Sequence, residues 1–221
     1  GILSELIELE DRYYRLEILG VGERLTLTPL SLPIGYVTNP NKDFVALVQN
    51  DGKVLRIESG KSERIPLPEG EWSLLSYTIN IQGARPSRIE GRATADCKPV
   101  SVRRGQTTLF PFGPPLKPVA KVTHLIRQNE AGLMLFLYGT AGESCAPVAA
   151  QGRRIEPELT ISTPAGQVVA HDKFRYGCSN HLFYQWKLPS DLADEYHVRV
   201  RVKADPFEVD DTGYSVIPRS D

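Results

Sequence analysis

Residues 67–77 read LPEGEWSLLSY, and this stretch decides the fold. It opens with a Pro-Glu-Gly turn, because proline presets φ and glycine accepts the positive φ that several turn types require. After the turn, Leu75 and Tyr77 fall on one face of an extended chain, whereas Trp72 and Leu74 fall on the other. Apolar side chains on both faces predict a central strand of a β-sheet. These residues shape a turn and fill a core, so they predict architecture rather than chemistry.

The rest of the first half shows the same two-residue period. Its clearest element is a hairpin at Asn50-Asp51-Gly52, which separates two alternating apolar runs, residues 44–48 and 53–57. Asp-Gly supplies the positive φ angles that a tight hairpin requires. Residues 15–19 and 24–28 are predicted to be further short strands.

The first residues of the chain depart from this period. Leu3, Leu6 and Ile7 have the spacing of one face of a helix. We therefore predict a short helix over residues 3–10, followed by strands.

The second half repeats the strand pattern. Residues 132–139, GLMLFLYG, are apolar on both faces and flanked by glycine, which predicts a buried central strand. Thr163-Pro164-Ala165-Gly166 predicts a turn between two strands. Residues 197–203, HVRVRVK, alternate strictly. The valines are expected to face a core, and the basic side chains to face water or a partner.

The length and the proline distribution predict two domains. At 221 residues the chain is long enough for two domains of about 100 residues each. Four prolines crowd residues 110–118, where they cannot donate ladder hydrogen bonds and where they stiffen the backbone. We predict an all-β protein with an N-terminal antiparallel β-sandwich over residues 1–113, a Pro-rich linker over residues 114–118 and a C-terminal β-sandwich over residues 119–221.

The charge balance argues against several classes of partner. Twenty-six Lys and Arg against 27 Asp and Glu leave a net charge of −1, so no summed field draws the protein to nucleic acid or to an anionic membrane. No run approaches the roughly 18 uninterrupted apolar residues that a membrane helix needs, so direct membrane insertion is not expected. No signal-peptide stretch opens the chain, which begins at Gly1. An export signal, if the protein has one, is expected to have been removed.

Three cysteines occur, Cys97, Cys145 and Cys178, without the Cys-x-x-Cys spacing of a zinc or redox site. Cys145 and Cys178 both lie in the second half and are candidates for a disulfide in an oxidising compartment. The alternative is that both are small buried apolar residues. Both interpretations stay open.

Two parts of the chain resemble known β-sandwich families. Residues 67–109 contain Leu-Pro-x-Gly-x-aromatic-x-Leu, then a Val-x-Val strand and Gly-x-Thr-Thr-Leu. This order resembles carboxypeptidase regulatory-like and prealbumin-like β-sandwich modules, from which the chain departs by a long insertion over residues 80–98. Residues 157–161, 166–169 and 173–177 are similar to immunoglobulin-like domains of uncharacterised exported bacterial proteins.

The resemblance implies a function as well as a fold. Modules of these families are mostly non-catalytic accessories, so it implies a binding or structural module of an exported or envelope protein and no enzyme. It implies a secreted, periplasmic or cell-surface location, with a protein or glycan of the envelope as partner. The alternative is an accessory carbohydrate-binding module of a secreted hydrolase. These families carry no general set of catalytic residues that could be transferred, and no cofactor is expected.

The residues themselves give little support for catalysis. The four histidines form no His-x-His or His-Glu-x-x-His array. No Gly-x-Ser-x-Gly turn presents a nucleophile, and no glycine-rich phosphate loop occurs. Cys178 and His181 hint at a nucleophile and base pair, but a buried or disulfide-bonded cysteine is the simpler interpretation. No catalytic residue is predicted.

Two candidate surfaces remain. Five aromatic residues crowd a short segment, and exposed rings stack on sugars or anchor protein partners. These candidates for ligand binding are Phe174, Tyr176, Phe183, Tyr184 and Trp186. The alternative is that most of them are core. The weak calcium candidates are Asp205, Glu208, Asp210 and Asp211, which lack the Gly-containing Asp-x-Asp loop of a strong site.

Overall fold

The structure is a computed structural model. It describes residues 5–10, 12–19, 24–60, 63–81, 87–124, 130–177, 181–191, 193–203 and 209–216, with side chains for all of these except 122–124 and 212–216. Twenty β-strands and no helix occur among these residues. No helix in the described part of the chain could therefore cross a membrane. The fold is all-β with sandwich-like sheets, which confirms the fold class predicted from the two-residue period.

The chain divides into two compact units. Unit 1 comprises Gly1–Asn80, Ile89–Gly113 and Ala141–Glu143. Unit 2 comprises Ile81–Arg88, Pro114–Thr140 and Ser144–Asp221.

Unit 1 contains three sheets. Its strands are β1 Leu6–Leu9, β2 Arg12–Leu19, β3 Arg24–Leu30, β4 Ile34–Thr38, β5 Phe44–Asn50, β6 Lys53–Glu58, β7 Ile65–Pro68, β8 Gly70–Ile81, β9 Ser87–Arg92, β10 Val100–Val102 and β11 Thr107–Leu109. The first sheet has the order β1-β2-β3, and the second has the order β11-β4-β7, with β11 parallel to β4. The third has the order β9-β8-β5-β6, with β10 paired to the start of β8.

The predicted Asp-Gly hairpin is confirmed. β5 and β6 pair along their lengths, with Asn50 opposite Lys53. Between them, Asp51 has a φ of 47° and Gly52 a φ of 76°. Both values are positive, as the tight hairpin turn that suits a twisted strand pair requires.

The predicted helix at the start of the chain is wrong over Leu6–Leu9, which form β1. Leu6 lies opposite Arg15 and Leu9 opposite Arg12 in β2, while Leu3 is outside the described residues. A helix this short is marginal in water, because its nucleation is costly. Pairing with β2 instead satisfies the backbone of the segment and buries Leu6 at 4% exposure.

β8 is a central strand, as its sequence predicts, but its faces differ from the predicted ones. The register shifts along the pairing with β5, so that Leu47 lies opposite Ser76 and Val48 opposite Leu74. Leu75 is the extra residue of a β-bulge, and the alternation reverses there. The bulge brings the apolar residues from both predicted faces to one buried side. The buried side chains of β8 are Trp72, Leu74, Tyr77, Ile79 and Ile81.

Unit 2 contains two antiparallel sheets. Its strands are β12 Lys117–His124, β13 Glu130–Tyr138, β14 Ser144–Ala149, β15 Glu158–Ser162, β16 Val168–Lys173, β17 Arg175–Tyr176, β18 Leu182–Lys187, β19 Tyr196–Val202 and β20 Val209–Val216. One sheet has the order β17-β18-β13-β14, with β12 also paired to β13. The other has the order β16-β15-β19-β20. β12 begins inside the predicted linker, since Lys117 and Pro118 already pair with Tyr138 and Leu137.

The inward side chains of the two sheets form the core of unit 2. The strict alternation of β19 is confirmed, because Val198, Val200 and Val202 are each 0% exposed. Trp186 of β18 meets Tyr196 of β19 edge to face, with 4.8 Å between ring centroids. This contact joins one sheet to the other.

The predicted turn between β15 and β16 is also confirmed. Gly166 has a φ of 84°, and its N–H donates to the Thr163 carbonyl over 2.9 Å. The strands that this turn connects belong to the second sheet of unit 2.

Candidate functional site

The outward side of β13 carries partly exposed apolar and aromatic side chains. Alternation along the strand turns Met134, Phe136 and Tyr138 outward, while the leucines between them are buried. On the flanking strands, Val119 lies directly opposite Phe136, and Phe183 lies opposite Met134. Directly opposite residues share a face of the sheet. We call this surface the aromatic face; it consists of Lys117, Val119, Lys121, Met134, Phe136, Tyr138 and Phe183.

Phe136 and Tyr138 form the centre of the aromatic face. Their ring planes are within 11° of parallel, and their centroids are 6.1 Å apart. The rings are stacked, and their centroid spacing is close to the separation of about 6.7 Å between alternate residues of a strand. The His181 ring meets Phe136 edge to face at 5.1 Å between centroids. The pair is therefore held in one orientation on a rigid sheet.

Two lysines flank the ring pair. Lys117 lies directly opposite Tyr138, and the Lys121 Nζ is 5.5 Å from the centroid of the Phe136 ring. A cation over an aromatic ring is attracted by its quadrupole, by about 0.5–1 kcal/mol at an exposed site. Both lysines are exposed, and within the described part of the chain neither forms an ion pair. Their charges are available to a ligand.

The five predicted ring residues lie on both sides of their sheet. Phe174 and Trp186 are buried, at 0% and 3% exposure. Tyr184 shares the inward side with Trp186 and meets Phe174 edge to face, with centroids 6.5 Å apart. Tyr176 is partly buried on the inward side as well. Of the five, Phe183 alone belongs to the aromatic face.

Tyr176 is held at the margin of the core. Its hydroxyl donates to the Ile155 carbonyl over 3.3 Å, and the Arg154 guanidinium carbon lies 5.0 Å from its ring centroid. Burial raises the pKa of Tyr176 to about 12, although Arg154 acts in the opposite direction. Burial, followed by the charge of Asp172, also raises the pKa of Tyr184. Both phenols are therefore protonated donors at neutral pH.

The second sheet of unit 2 presents alternating charges outward. Across its four strands, Lys173, Glu158, Arg201 and Asp210 lie side by side in one row. The Arg199 Nε donates to Asp210 Oδ1 over 2.6 Å, and a second guanidinium nitrogen donates to the other oxygen. We call this surface the charged face; it consists of Glu158, Lys173, Arg199, Arg201, Lys203 and Asp210.

The carboxylates of the charged face are bound by cations of the same surface. The Arg199 hydrogen bond holds the pKa of Asp210 below its ordinary value of 3.8. The Lys203 Nζ is 2.9 Å from Glu158 Oε1, and this bond lowers the pKa of Glu158. Both carboxylates stay ionised at neutral pH, and their partners neutralise much of the surface.

The predicted calcium candidates do not come together in the described residues. Asp210 and Asp211 belong to β20, where Asp210 binds Arg199. Asp205 and Glu208 lie outside the described residues. Within the described ranges, no group of three or more His, Cys, Asp or Glu side chains is placed to hold a metal ion.

The predicted disulfide also lies partly outside the described residues. Cys145 is buried in β14, at 7% exposure, but Cys178 is not described. The disulfide therefore stays a prediction, as does the pairing of Cys178 with His181. Cys97 is partly exposed and forms a weak bond with the backbone of Thr94, whose nitrogen is 3.4 Å from the sulfur.

Unit 1 contains a fully buried carboxylate, that of Glu143, at 0% exposure. One oxygen accepts hydrogen bonds from the Gly113 N–H at 2.6 Å and the Tyr77 hydroxyl at 3.0 Å. The other accepts from the Ala141 N–H at 2.9 Å. These donors fix the loop Ala141–Glu143, so the carboxylate has a structural use.

Sequence reasoning missed the ring pair of the aromatic face. The prediction of a strand buried on both faces over residues 132–139 is wrong for one face, because Phe136 and Tyr138 are only partly buried. A signal was present, since one face of the run holds the leucines and the other the larger, less aliphatic residues. Whether that second face is covered depends on packing that the alternation does not specify.

Comparisons with protein-family models, curated proteins and solved structures found no match to this chain.

Proposed function

We propose that this chain is a non-catalytic binding or structural module of an exported or envelope protein, and that the aromatic face is its contact surface. The observation that carries the proposal is the placement of Phe136 and Tyr138 as a near-parallel, partly exposed pair on a central strand. Aromatic residues of this kind act as anchors in interfaces, because they give a large contact area with few rotatable bonds. The resemblance to prealbumin-like and immunoglobulin-like modules favours the same role.

The sheet beneath the rings suits a module that binds without changing shape. β13 pairs with β12 on one side, and on the other with β18 up to Leu135 and with β14 at Tyr138. Its inward leucines, Leu133, Leu135 and Leu137, are exposed by 2% or less. A surface fixed in this way loses little conformational entropy when a partner binds.

A second candidate is carbohydrate binding, as the accessory module of a secreted hydrolase. The partial exposure of the Phe136 and Tyr138 rings favours it, because exposed aromatic rings contact the apolar faces of sugars. The nearby Lys117, Lys121 and His181 offer polar groups at the edges of such a ligand. A protein partner and a glycan would therefore use the same surface.

The test compares three immobilised proteins, the wild type, the double variant Phe136→Ala/Tyr138→Ala and the control Val168→Ala. Val168 is an exposed apolar residue of the other sheet, at 57% exposure. Each protein is incubated with purified envelope protein and envelope polysaccharide fractions of the source organism, and retention is quantified. We expect the wild type and the control to retain the same component and the double variant to lose it.

The outcomes separate the two candidates. Retention of a defined protein supports the first, and retention of polysaccharide supports the second. Retention that survives the double substitution would reject the aromatic face as the contact surface. If neither fraction is retained by the wild type, the binding role itself fails.

A further inference from the structure

The aromatic face differs from an ordinary apolar patch in its charge. Lys117 and Lys121 extend from β12 on the same side as the ring pair, two residues to either side of Val119. Neither lysine has a carboxylate partner among the described residues. The surface thus joins two partly exposed rings to two positive charges.

We propose that the aromatic face binds acidic polysaccharides, with the partly exposed Phe136 and Tyr138 rings contacting the apolar faces of sugar rings and Lys117 and Lys121 pairing with carboxylates of the polysaccharide. This inference rests on the carbohydrate-binding candidate above. It adds the class of sugar, because uronic acids combine an apolar ring face with a carboxylate at the ring edge.

The spacing of the groups sets the length of the ligand. Lys117 and Lys121 are four residues apart on β12, a distance of about 13 Å along a strand. On the neighbouring strand, Tyr138 lies opposite Lys117 and Phe136 opposite Val119, with ring centroids 6.1 Å apart. A single sugar would reach one ring and one lysine, whereas an oligomer would use both rings and both lysines. We therefore expect a polymer or oligomer to bind more tightly than the monosaccharide.

The local charge favours this ligand although the chain as a whole is nearly neutral. The net charge of the protein is −1, so long-range steering toward a polyanion is weak. Selectivity must come from the two lysines beside the rings. Two cations are few for a nucleic acid, because binding to a phosphate backbone depends on neutralising many charges.

The experiment uses a polymer whose charge can be removed without changing its sugar. Polygalacturonate and its fully methyl-esterified form share a backbone, but the ester has no free carboxylates. Affinity electrophoresis of the full chain through gels containing either polymer, or polyuridylate, gives three dissociation constants. The variants are Lys117→Gln/Lys121→Gln, Phe136→Ala/Tyr138→Ala and the control Val168→Ala.

We expect the wild type and the control to prefer polygalacturonate over its ester. Loss of two exposed ion pairs should weaken binding of the acid by about fivefold in the lysine variant. Binding of the ester should remain unchanged there, because its stacking on the rings is retained. The ring variant should lose both polymers.

The contrary outcomes are distinct. Equal binding of acid and ester by the wild type would overturn the acidic-sugar inference and leave the carbohydrate-binding candidate standing. Binding of neither polymer would remove both. Polyuridylate bound as tightly as polygalacturonate, and weakened equally by the lysine substitutions, would show that the face responds to charge alone, which also overturns the inference. A thermal melt of each variant verifies that it is folded.

Discussion

The aromatic face and the charged face belong to the two sheets of the same unit, but they differ in whether their outward side chains pair with one another. On the charged face, Asp210 is bound by Arg199 and Glu158 by Lys203. On the aromatic face, Phe136 and Tyr138 stand partly exposed beside lysines that have no acidic partner in the described part of the chain. The charged groups of the charged face pair with one another, whereas the rings and lysines of the aromatic face are groups that a ligand could contact.

Exposure alone therefore does not identify a binding surface. Exposed ion pairs contribute little to stability because solvent and salt screen them, so exposure of the charged face does not by itself indicate a ligand. Partly exposed rings on a central strand are less easily explained by solubility, because contiguous apolar surface is a mark of interaction sites. In the proposed complex with an acidic polysaccharide, Lys117 and Lys121 would add selectivity to that surface.

The largest expected effect comes from removing the core contact between the two sheets that carry these faces. Trp186→Ala deletes the ring that packs on Tyr196 between the two sheets. We expect unit 2 to lose about 3–5 kcal/mol of unfolding free energy, as for other buried aromatic truncations. Urea unfolding followed by tryptophan and tyrosine fluorescence measures it, with Val168→Ala as the exposed control. A loss below about 1 kcal/mol would contradict the assignment of Trp186 to a shared core.

A smaller effect is expected from giving the lysines of the aromatic face a carboxylate partner, such as the carboxylates of the charged face have in their cations. Val119→Glu places a carboxylate on the outward side of β12, between Lys117 and Lys121. Because the new carboxylate competes for both lysines, affinity for polygalacturonate should fall by about fivefold. Affinity electrophoresis checks this, and Val119→Gln is the matched neutral control. Equal losses in both variants would mean that shape, not charge, accounts for the change.

The third prediction concerns the partly buried hydroxyl of Tyr176. In Tyr176→Phe the Ile155 carbonyl loses its hydroxyl donor, which should cost about 1 kcal/mol. Spectrophotometric titration gives a second readout, because burial raises the pKa of Tyr176 to about 12. The wild type should show a tyrosine that ionises late, and the variant should lack that phase. An unchanged titration curve would mean that the late-ionising tyrosine is not Tyr176.

The smallest expected effect is on the charged face. The folded-state pKa of Asp210 is lowered by Arg199, so its contribution to stability is present above the unfolded pKa and is lost as the pH falls through the folded value. Asp210→Asn should therefore reduce the fall in stability as the pH drops below about 4, without affecting polysaccharide binding. Denaturant melts at several pH values in low and high salt measure this. A change in polygalacturonate affinity would contradict the separation of the two faces.

Local chemistry explains which parts of the fold were predictable. Asp51 and Gly52 have few alternatives to a tight turn, and the valines of β19 alternate without interruption. Both predictions are confirmed because each depends on residues close together in sequence. The helix at residues 3–10 is wrong, since periodicity over so few residues does not outweigh pairing with β2.

The candidate site was less predictable for the same reason. The five rings between Phe174 and Trp186 share a segment, but alternation sends Tyr184 and Trp186 inward and Phe183 outward. These rings are close in sequence but do not lie on one surface of the sheet. The ring pair on β13 meets Lys121 only because β12 pairs with it in a particular register.

The order of residues was enough to dictate an all-β chain, its tight turns and the inward valines of β19, because φ preferences and two-residue alternation act within a few residues of one another. The bulge at Leu75 and the meeting of Phe136, Tyr138, Lys117 and Lys121 came from the folded sheets alone. Strand register and the coverage of each face depend on contacts between segments far apart in the chain, and no local pattern encodes which of two apolar faces another layer will bury.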